Sequence, residues 1–420
     1  MTEMITAGNE AGHGSTLMQQ LHQSQKKHKR RTWLLVAPLL LFIGLSFVVP
    51  IASVLVKSVA NPELRTAMPT VTAALSHWDG NAIPDDSTFQ ALVSDLRSAR
   101  ASGQISSVAK RLSYEDPSYR SLIMHTLRAA PDDITQPGAT RTALTTALPL
   151  WRNIDTWRSV QRASRPFTAL YLLAVFDRKV DIHTGAVTRL PDDKALYVNV
   201  LERTLLMAGV VTLLCLVLGY PLAYWLSKQP AGRANLLMIM VLLPFWTSLI
   251  VRTASWIVLL QSGGLINGGL IHLGIIDKPL ELVFNRIGVY IAMTHILLPF
   301  IVLPLYAVMK GISPNYMRAA ISLGAHPFVA FWRVYVPQTY AGVAAGGLLV
   351  FIMAIGYYIT PALLGGPGDQ MLSYFVAFFT NTTMNWGMAA ALGSQLLVIV
   401  IMLYLVYIRV TRTQAEIAAR

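Results

Sequence analysis

Six stretches of this sequence are each apolar over the length that a helix needs to cross a bilayer: Trp33 to Val56, Val200 to Leu226, Ala234 to Leu260, Ile287 to Met309, Gly342 to Pro361 and Ala389 to Ile408. A hydrocarbon core about 30 Å thick takes roughly 20 residues of helix, because no water is present there to satisfy a free amide or carbonyl. These stretches therefore set the fold class: an all-α membrane protein with six transmembrane helices. Composition agrees, with 54% of residues hydrophobic and 13% charged, against roughly a quarter charged in soluble domains.

A net charge of +13 raises the question of nucleic acid, and its distribution answers it. Lys and Arg close to a span resist translocation. Lys26, Lys27, Lys29, Arg30 and Arg31 precede the first span, Lys228 and Arg233 separate the second and third, and Lys310, Arg318 and Arg333 separate the fourth and fifth. Arg409 and Arg412 follow the sixth, and neither inner loop holds an acid. Both termini are thus expected in the cytoplasm, in tails at 1–32 and 410–420, and no nucleic-acid partner is needed. A cleavable signal peptide is the rival reading of the first span, with small residues at Ser58 to Ala60. The apolar run exceeds the roughly 7–15 residues of a signal core. The lone Cys215 lies within an apolar run, leaving neither a disulfide framework nor a cysteine metal site.

Between the first two spans, Lys57 to Asn199 alternates polar and apolar positions and carries most of the acids, which predicts a small, mainly helical soluble insert (57–199). Helical spacing is visible at Phe89, Leu92, Val93 and Leu96, and again at Leu144, Leu148, Trp151 and Ile154. Asp85-Asp86-Ser87, Pro131-Asp132-Asp133 and Pro137-Gly138 read as caps and connectors. The insert is either a lid or docking domain, or a spacer on the pore mouth. Asp132 with Asp133, and Asp192 with Asp193, are either cation-binding pairs or solvated caps.

The most informative segment is Lys310 to Pro337, which reads K-G-I-S-P-N-Y-M-R-A-A-I-S-L-G-A-H-P-F-V-A-F-W-R-V-Y-V-P. Ser313 can cap a helix that Pro314 opens, Gly324 can close it in a left-handed conformation, and a second helix starts at Pro327. Met317, Ala320, Ile321 and Gly324 fall on one face. Such a short amphipathic helix suits a groove on another protein, or the bilayer surface.

Ala319, Ala320, Gly324, Val334, Val336 and Pro337 stand at the spacings of the EAA loop, and here the chain resembles the permeases of binding-protein-dependent ABC importers. L-L-P-F-W-T-S-L-I-V-R-T-A-S-W (Leu242 to Trp256), Gly264-Leu265-Ile266-Asn267 and T-P-A-L-L-G-G (Thr360 to Gly366) resemble the spermidine/putrescine branch. The likeness spans Leu201 to Ile408, and a long insert is not typical of that branch. It implies a type I importer architecture in the bacterial inner membrane, a five-helix permease core at 200–409 with a coupling loop at 310–337, and half of a pore for a polyamine or related organic cation. It also implies as partners two cytoplasmic ATPase subunits, a second homologous permease and a periplasmic solute-binding protein. Met317, Arg318, Ala319, Ala320, Ile321, Gly324 and Pro337 then form the contact with the ATPase. Arg318 departs from the family's acid at that position, so a compensating acid is expected on the ATPase.

The motor belongs elsewhere. No G-x-x-x-x-G-K-[ST] phosphate loop occurs, so no cofactor is expected on this chain, while ATP and Mg are expected on the ATPase subunits; the spans also lack the acids of an ion-driven carrier. Arg252 is expected either to hold helix-end carbonyls of a partner subunit or to stand at the gate. His295, with Pro299 one turn on, is expected to satisfy carbonyls freed at that kink; Glu202 and Arg203 lie near a span end. Pro221, Pro244, Pro299 and Pro304 are candidate bends. Gly342-x-x-x-Gly346 is a candidate face for the second permease. Along the solute path, Trp246, Trp256, Tyr357, Tyr358 and Trp386 can hold a cation by cation–π attraction worth about 0.5 to 2 kcal/mol each, or serve as belt and packing residues. Asp369 either attracts a cation or closes a loop turn. A membrane-anchored sensor or channel using the insert as ligand domain is the alternative; it leaves the spaced loop unexplained. A membrane-embedded enzyme would need paired His, Asp or Glu in a span, which the sequence lacks.

Overall fold

The computed structural model describes residues 33–418, with side chains for 33–409; the basic tail at 1–32 and the Arg412 side chain fall outside these. Residues 1–56 and 57–420 are separate units. Of the first, the helix Trp33–Lys57 is described, and no side chain in its apolar window is buried. Leu35 is 82% exposed, a surface that only lipid or another protein can cover.

Five helices are long and apolar enough to cross a membrane: Trp33–Lys57, Tyr197–Ser227, Leu249–His272, Arg286–Gly311 and Trp386–Arg409. A sixth candidate is the pair Pro327–Gln338 and Tyr340–Gly356, bent by 60° at Thr339. That corner is buried, and its Oγ1 lies 3.1 Å from the Tyr220 hydroxyl.

The core of the second unit is a seam of three helices, Tyr197–Ser227, Arg286–Gly311 and Tyr340–Gly356. Small residues bring their backbones together. A Cβ on Gly219 would lie 2.6 Å from Ile301 Cγ2, one on Gly346 2.9 Å from Ile301 Cγ1, and one on Gly342 3.2 Å from the Pro304 carbonyl. The Gly342 and Gly346 face is therefore consumed within the chain, which corrects its assignment to a second permease. Pro221, Pro299 and Pro304 lie inside continuous helices.

Two spans depart from the hydropathy reading. Ala234 to Leu260 is not one helix: Ala231–Leu242 passes into a tight turn at Leu243–Trp246, Thr247 and Ser248 are extended, and Leu249–Leu260 starts afresh. Pro244 lacks the amide that would continue the ladder, and Ser248 caps the new start through Val251 N at 3.4 Å. The fifth stretch ends at Gly356; Tyr357 is extended, and Pro361 sits in the separate helix Ile359–Leu364. The last helix continues to Ala418.

Between the first two candidate spans, short helices surround their own core, in which Phe89, Leu92, Val93 and Leu96 are fully buried with Trp151 and Trp157. Asp85 caps its helix and Gly138 takes a left-handed φ of 76°. The spacing from Leu144 to Ile154 is not a single helix. Ala139–Ala147, a tight turn at Pro149–Arg152 and Ile154–Ala163 share it, because Pro149 opens a new turn and Asn153 caps the next helix. An unexpected hairpin pairs Arg178–Val180 with Val187–Arg189.

This region is fastened to the N-terminal ends of the helices Tyr197–Ser227 and Trp386–Ala418. The buried Asp177 takes amide hydrogens from Leu196, Tyr197 and Val198 at 2.9–3.0 Å, placing a carboxylate at the positive end of helix Tyr197–Ser227. Asn385 Nδ2 donates to the Tyr114 hydroxyl at 2.8 Å, and Lys110 donates to the Thr383 carbonyl. The Tyr171 ring lies on Gly387, where a Cβ would approach to 2.3 Å.

Candidate coupling loop and solute path

The loop after helix Arg286–Gly311 forms as its residues require. Ser313 Oγ accepts from Asn315 N, Pro314 opens the helix Pro314–Ser322, and Gly324 takes a φ of 90°. Amides of Ala325 and Gly324 reach the carbonyls of Ala320 and Ile321 at 3.1 and 2.9 Å, the paired bonds of a Schellman turn. Of the expected apolar face, Met317 packs inward on the seam and Ala320 is half-buried, whereas Ile321 is exposed. Tyr316, Phe328 and above all Leu323, 89% exposed, carry the outward apolar surface. Ala319, Gly324 and Pro337 are exposed. Arg318 Nη2 donates to Asn315 Oδ1 at 2.7 Å, and no acid among the described residues pairs with it.

The return segment anchors the loop. Tyr335 is buried, stacks on Phe331 at 5.6 Å between centroids and meets Tyr224 edge-on. Lys228 lies over the Tyr224 and Tyr335 rings at 5.3 and 5.0 Å. Lys310 reaches the Gln229 carbonyl at 3.2 Å, supplying a cation to the end of helix Tyr197–Ser227. Thus Lys228 and Lys310, read in the sequence as topology marks, also hold the loop to that helix.

The solute-path residues fall in separate places. Arg252 donates through Nη2 to the Thr247 carbonyl at 2.8 Å and through Nε to Thr247 Oγ1 at 3.2 Å, with Phe245 beneath its guanidinium at 6.0 Å. It satisfies a carbonyl freed by the break in its own chain. Trp246 is 77% exposed beside it. Trp256 Nε1 donates to His295 Nδ1 at 3.2 Å, so His295 serves the indole and not a carbonyl at the Pro299 kink. The pair lines an apolar cavity of about 500 Å³ with Tyr290 and Thr294. Tyr357 and Tyr358 line another, of about 320 Å³, with Leu249 and Met353. Trp386, at the start of the last helix, carries Lys57 Nζ 5.4 Å above its ring.

Asp369 proves to be a turn residue. Its Oδ2 accepts from Gly366 N at 3.1 Å and its Oδ1 from Arg286 Nε at 2.8 Å, while Arg203 donates to the neighbouring Gly368 carbonyl. The carboxylate is committed within the chain and is not left to attract a solute. Arg286, 83 residues away in sequence, carried no local signal of this role.

In the region before the second long helix, Asp133 caps Thr135, whose hydroxyl and amide hold its carboxyl below the usual carboxylate value. Asp192 lies 3.8 Å from Arg189 on the surface. Among the described residues no cluster of three or more His, Cys, Asp or Glu could hold a metal.

No family model matches the chain. It is 35% identical over 217 residues to the spermidine/putrescine transport system permease protein PotB of Haemophilus influenzae, covering 52% of this chain and 76% of that one. PotB of Escherichia coli is 36% identical over 225 residues, covering 54% and 81%. The inner membrane ABC transporter permease protein YdcU of Escherichia coli is 31% identical over 229 residues, covering 50% and 71%. A crystal structure of a bacterial alginate ABC transporter, in complex with an alginate pentasaccharide-bound periplasmic protein, superposes with a TM-score of 0.43 at 17% identity, covering 52% of this chain and 78% of that one. With identities of this order over more than two thirds of the PotB proteins, the chain belongs to the permeases of ABC importers, the membrane-spanning, non-catalytic transport subunits of binding-protein-dependent systems.

Proposed function

We propose that this permease forms half of the translocation pore of a polyamine importer in the bacterial inner membrane. The observation that carries the reading is the 36% identity to PotB over 225 residues, together with a capped, solvent-facing helix at Pro314–Ser322 on the loop with EAA spacing. In this reading the chain crosses the membrane six times, the bent pair counted as one span, with both termini and that loop in the cytoplasm and residues 57–199 in the periplasm. The basic flanks support this orientation.

In this reading two ATPase subunits, holding ATP and Mg, grip Met317 to Gly324 and the exposed Leu323 tip. Arg318 faces a carboxylate on the ATPase. A second permease completes the pore, and a periplasmic binding protein delivers solute to the outer face. Moving a two-state pore from 1:99 to 99:1 takes about 5.5 kcal/mol of differential binding, so the loop has to be held firmly at its base. Tyr335, Lys228 and Lys310 supply that hold. The aromatic residues Trp246, Trp256, Tyr357, Tyr358 and Trp386 offer faces to an organic cation, each worth about 0.5 to 2 kcal/mol; Arg252 maintains the break between them, and Asp369 is withdrawn from the path.

The test is purification with the encoded ATPase, second permease and binding protein, followed by ATPase assays in proteoliposomes. Spermidine or putrescine should raise turnover only when the binding protein is present. Stimulation by a different solute, with none from polyamines, would overturn the substrate; failure to assemble with an ATPase would overturn the importer.

A further inference from the structure

The arm Pro327–Gln338 carries aromatic rings on two faces, and the fold uses one of them. Phe331 meets Tyr224 edge-on at 5.5 Å between centroids, and Tyr335 is buried. Phe328 and Trp332, one helical turn apart with centroids at 6.3 Å, turn outward and are 66% and 55% exposed. Val329 is exposed beside Phe328. Contiguous apolar groups left open in this way mark a surface that something else covers.

Direction, depth and charge identify the cover as lipid. Tyr340–Gly356 has 17 residues, about 25 Å of helix, which nearly crosses a hydrocarbon core about 30 Å thick by itself. The arm is bent from it by 60°. From an upright span it therefore runs closer to the membrane plane than to the normal, and it starts where the core ends.

A second tryptophan fixes the depth. Trp225, on the last turn of helix Tyr197–Ser227, is also exposed. Its neighbour Tyr224 touches Phe331, the neighbour of Trp332, so two open indoles on different elements stand at nearly one level. Indoles collect at the headgroup layer because the ring is apolar and its N–H polar.

Arg333, next to Trp332, is exposed and makes no hydrogen bond or ion pair among the described residues. The exposed Lys228 lies 5.0 Å from the centroid of the Tyr335 ring. No Asp or Glu occurs in 203–276 or in 282–368, the stretches that hold both elements. A face with cations, open rings and no anion of its own complements an anionic headgroup layer.

We propose that this face of the arm lies in the headgroup layer of an anionic leaflet, with the Phe328 and Trp332 rings at the acyl-chain boundary and Arg333 on lipid phosphate. A guanidinium suits phosphate because its paired N–H donors match two oxygens. Lipid then holds the return segment of the loop from outside, as Tyr224 holds it from inside. The proposal rests on the reading of Tyr340–Gly356 as a span, and neither on the solute nor on the ATPase.

Quenching of tryptophan emission by lipids brominated on their acyl chains tests it, with the full-length chain alone in liposomes. The difference between wild type and Trp332→Phe isolates the Trp332 emission. Brominated phosphatidylglycerol should quench it at a membrane fraction about fivefold lower than brominated phosphatidylcholine, and Arg333→Gln should abolish that preference. Where Arg333→Gln fails to fold, high salt on the wild-type protein should narrow the preference instead. Adding the encoded ATPase should leave the quenching in place. No quenching of Trp332 by either lipid, equal quenching by both, a preference unchanged by Arg333→Gln or, in its place, by salt, or loss of quenching when the ATPase binds would each overturn the assignment, the last giving this face to the ATPase.

Discussion

At the scale of single residues, charges in this chain act mainly on backbone groups. Asp85 accepts from Thr88 Oγ1 at 2.8 Å and from Thr88 N, and the hydroxyl contact is the main reason its carboxyl lies below the usual carboxylate value. Its stabilising contribution is complete above that usual value and is lost as pH falls through the lowered one in the folded protein. Asp85→Ala should cost about 1 kcal/mol in chemical denaturation at neutral pH, and the gap to wild type should close in strong acid. Arg252 performs the corresponding service for Thr247. Arg252→Met should leave that carbonyl unpaired and destabilise the detergent-solubilised protein by roughly 1–3 kcal/mol, read as a lower melting temperature. Arg318 works outward instead. Arg318→Glu should reduce solute-stimulated ATP hydrolysis with the native ATPase while leaving melting unchanged, and wild-type coupling in that variant would remove the charge contact.

At the scale of elements, close backbone approach decides the packing. Gly346→Ala should cost about 1–3 kcal/mol by pressing on Ile301, whereas Gly347→Ala, with its nearest neighbour 4.0 Å away at Thr212, should be neutral or stabilising in the same melting assay. The existence of the long helices was legible because an apolar run of membrane length has few alternatives. The caps of the Pro314–Ser322 helix were legible because Ser313, Pro314 and Gly324 act on their immediate neighbours. What hydropathy could not register were interruptions inside apolar runs: Thr247 and Ser248 are too few to lower a window average, and Tyr357 is apolar enough to extend one. The spacing from Leu144 to Ile154 misled for the opposite reason, since Pro149 and Asn153 change the backbone without disturbing the burial pattern.

At the scale of the whole molecule, the region before the second long helix is held to the N-terminal ends of the helices Tyr197–Ser227 and Trp386–Ala418 through Asp177, Asn385 and Gly387. Gly387→Ala would drive a methyl into the Tyr171 ring. Hydrogen exchange should then rise in residues 171–177 and 383–392, while the seam around Ile301 keeps its protection; equal loosening of both would mean that the junction is not a separate contact. None of these partners could be found from sequence, because each pair is far apart along the chain and joins residue types that are common in loops. The 60° corner at Thr339 has a mechanical consequence. A bend whose vertex is tethered to a neighbouring shaft, as Thr339 is to Tyr220, behaves as a bell crank: thrust along the short arm arrives at the long arm as tilt.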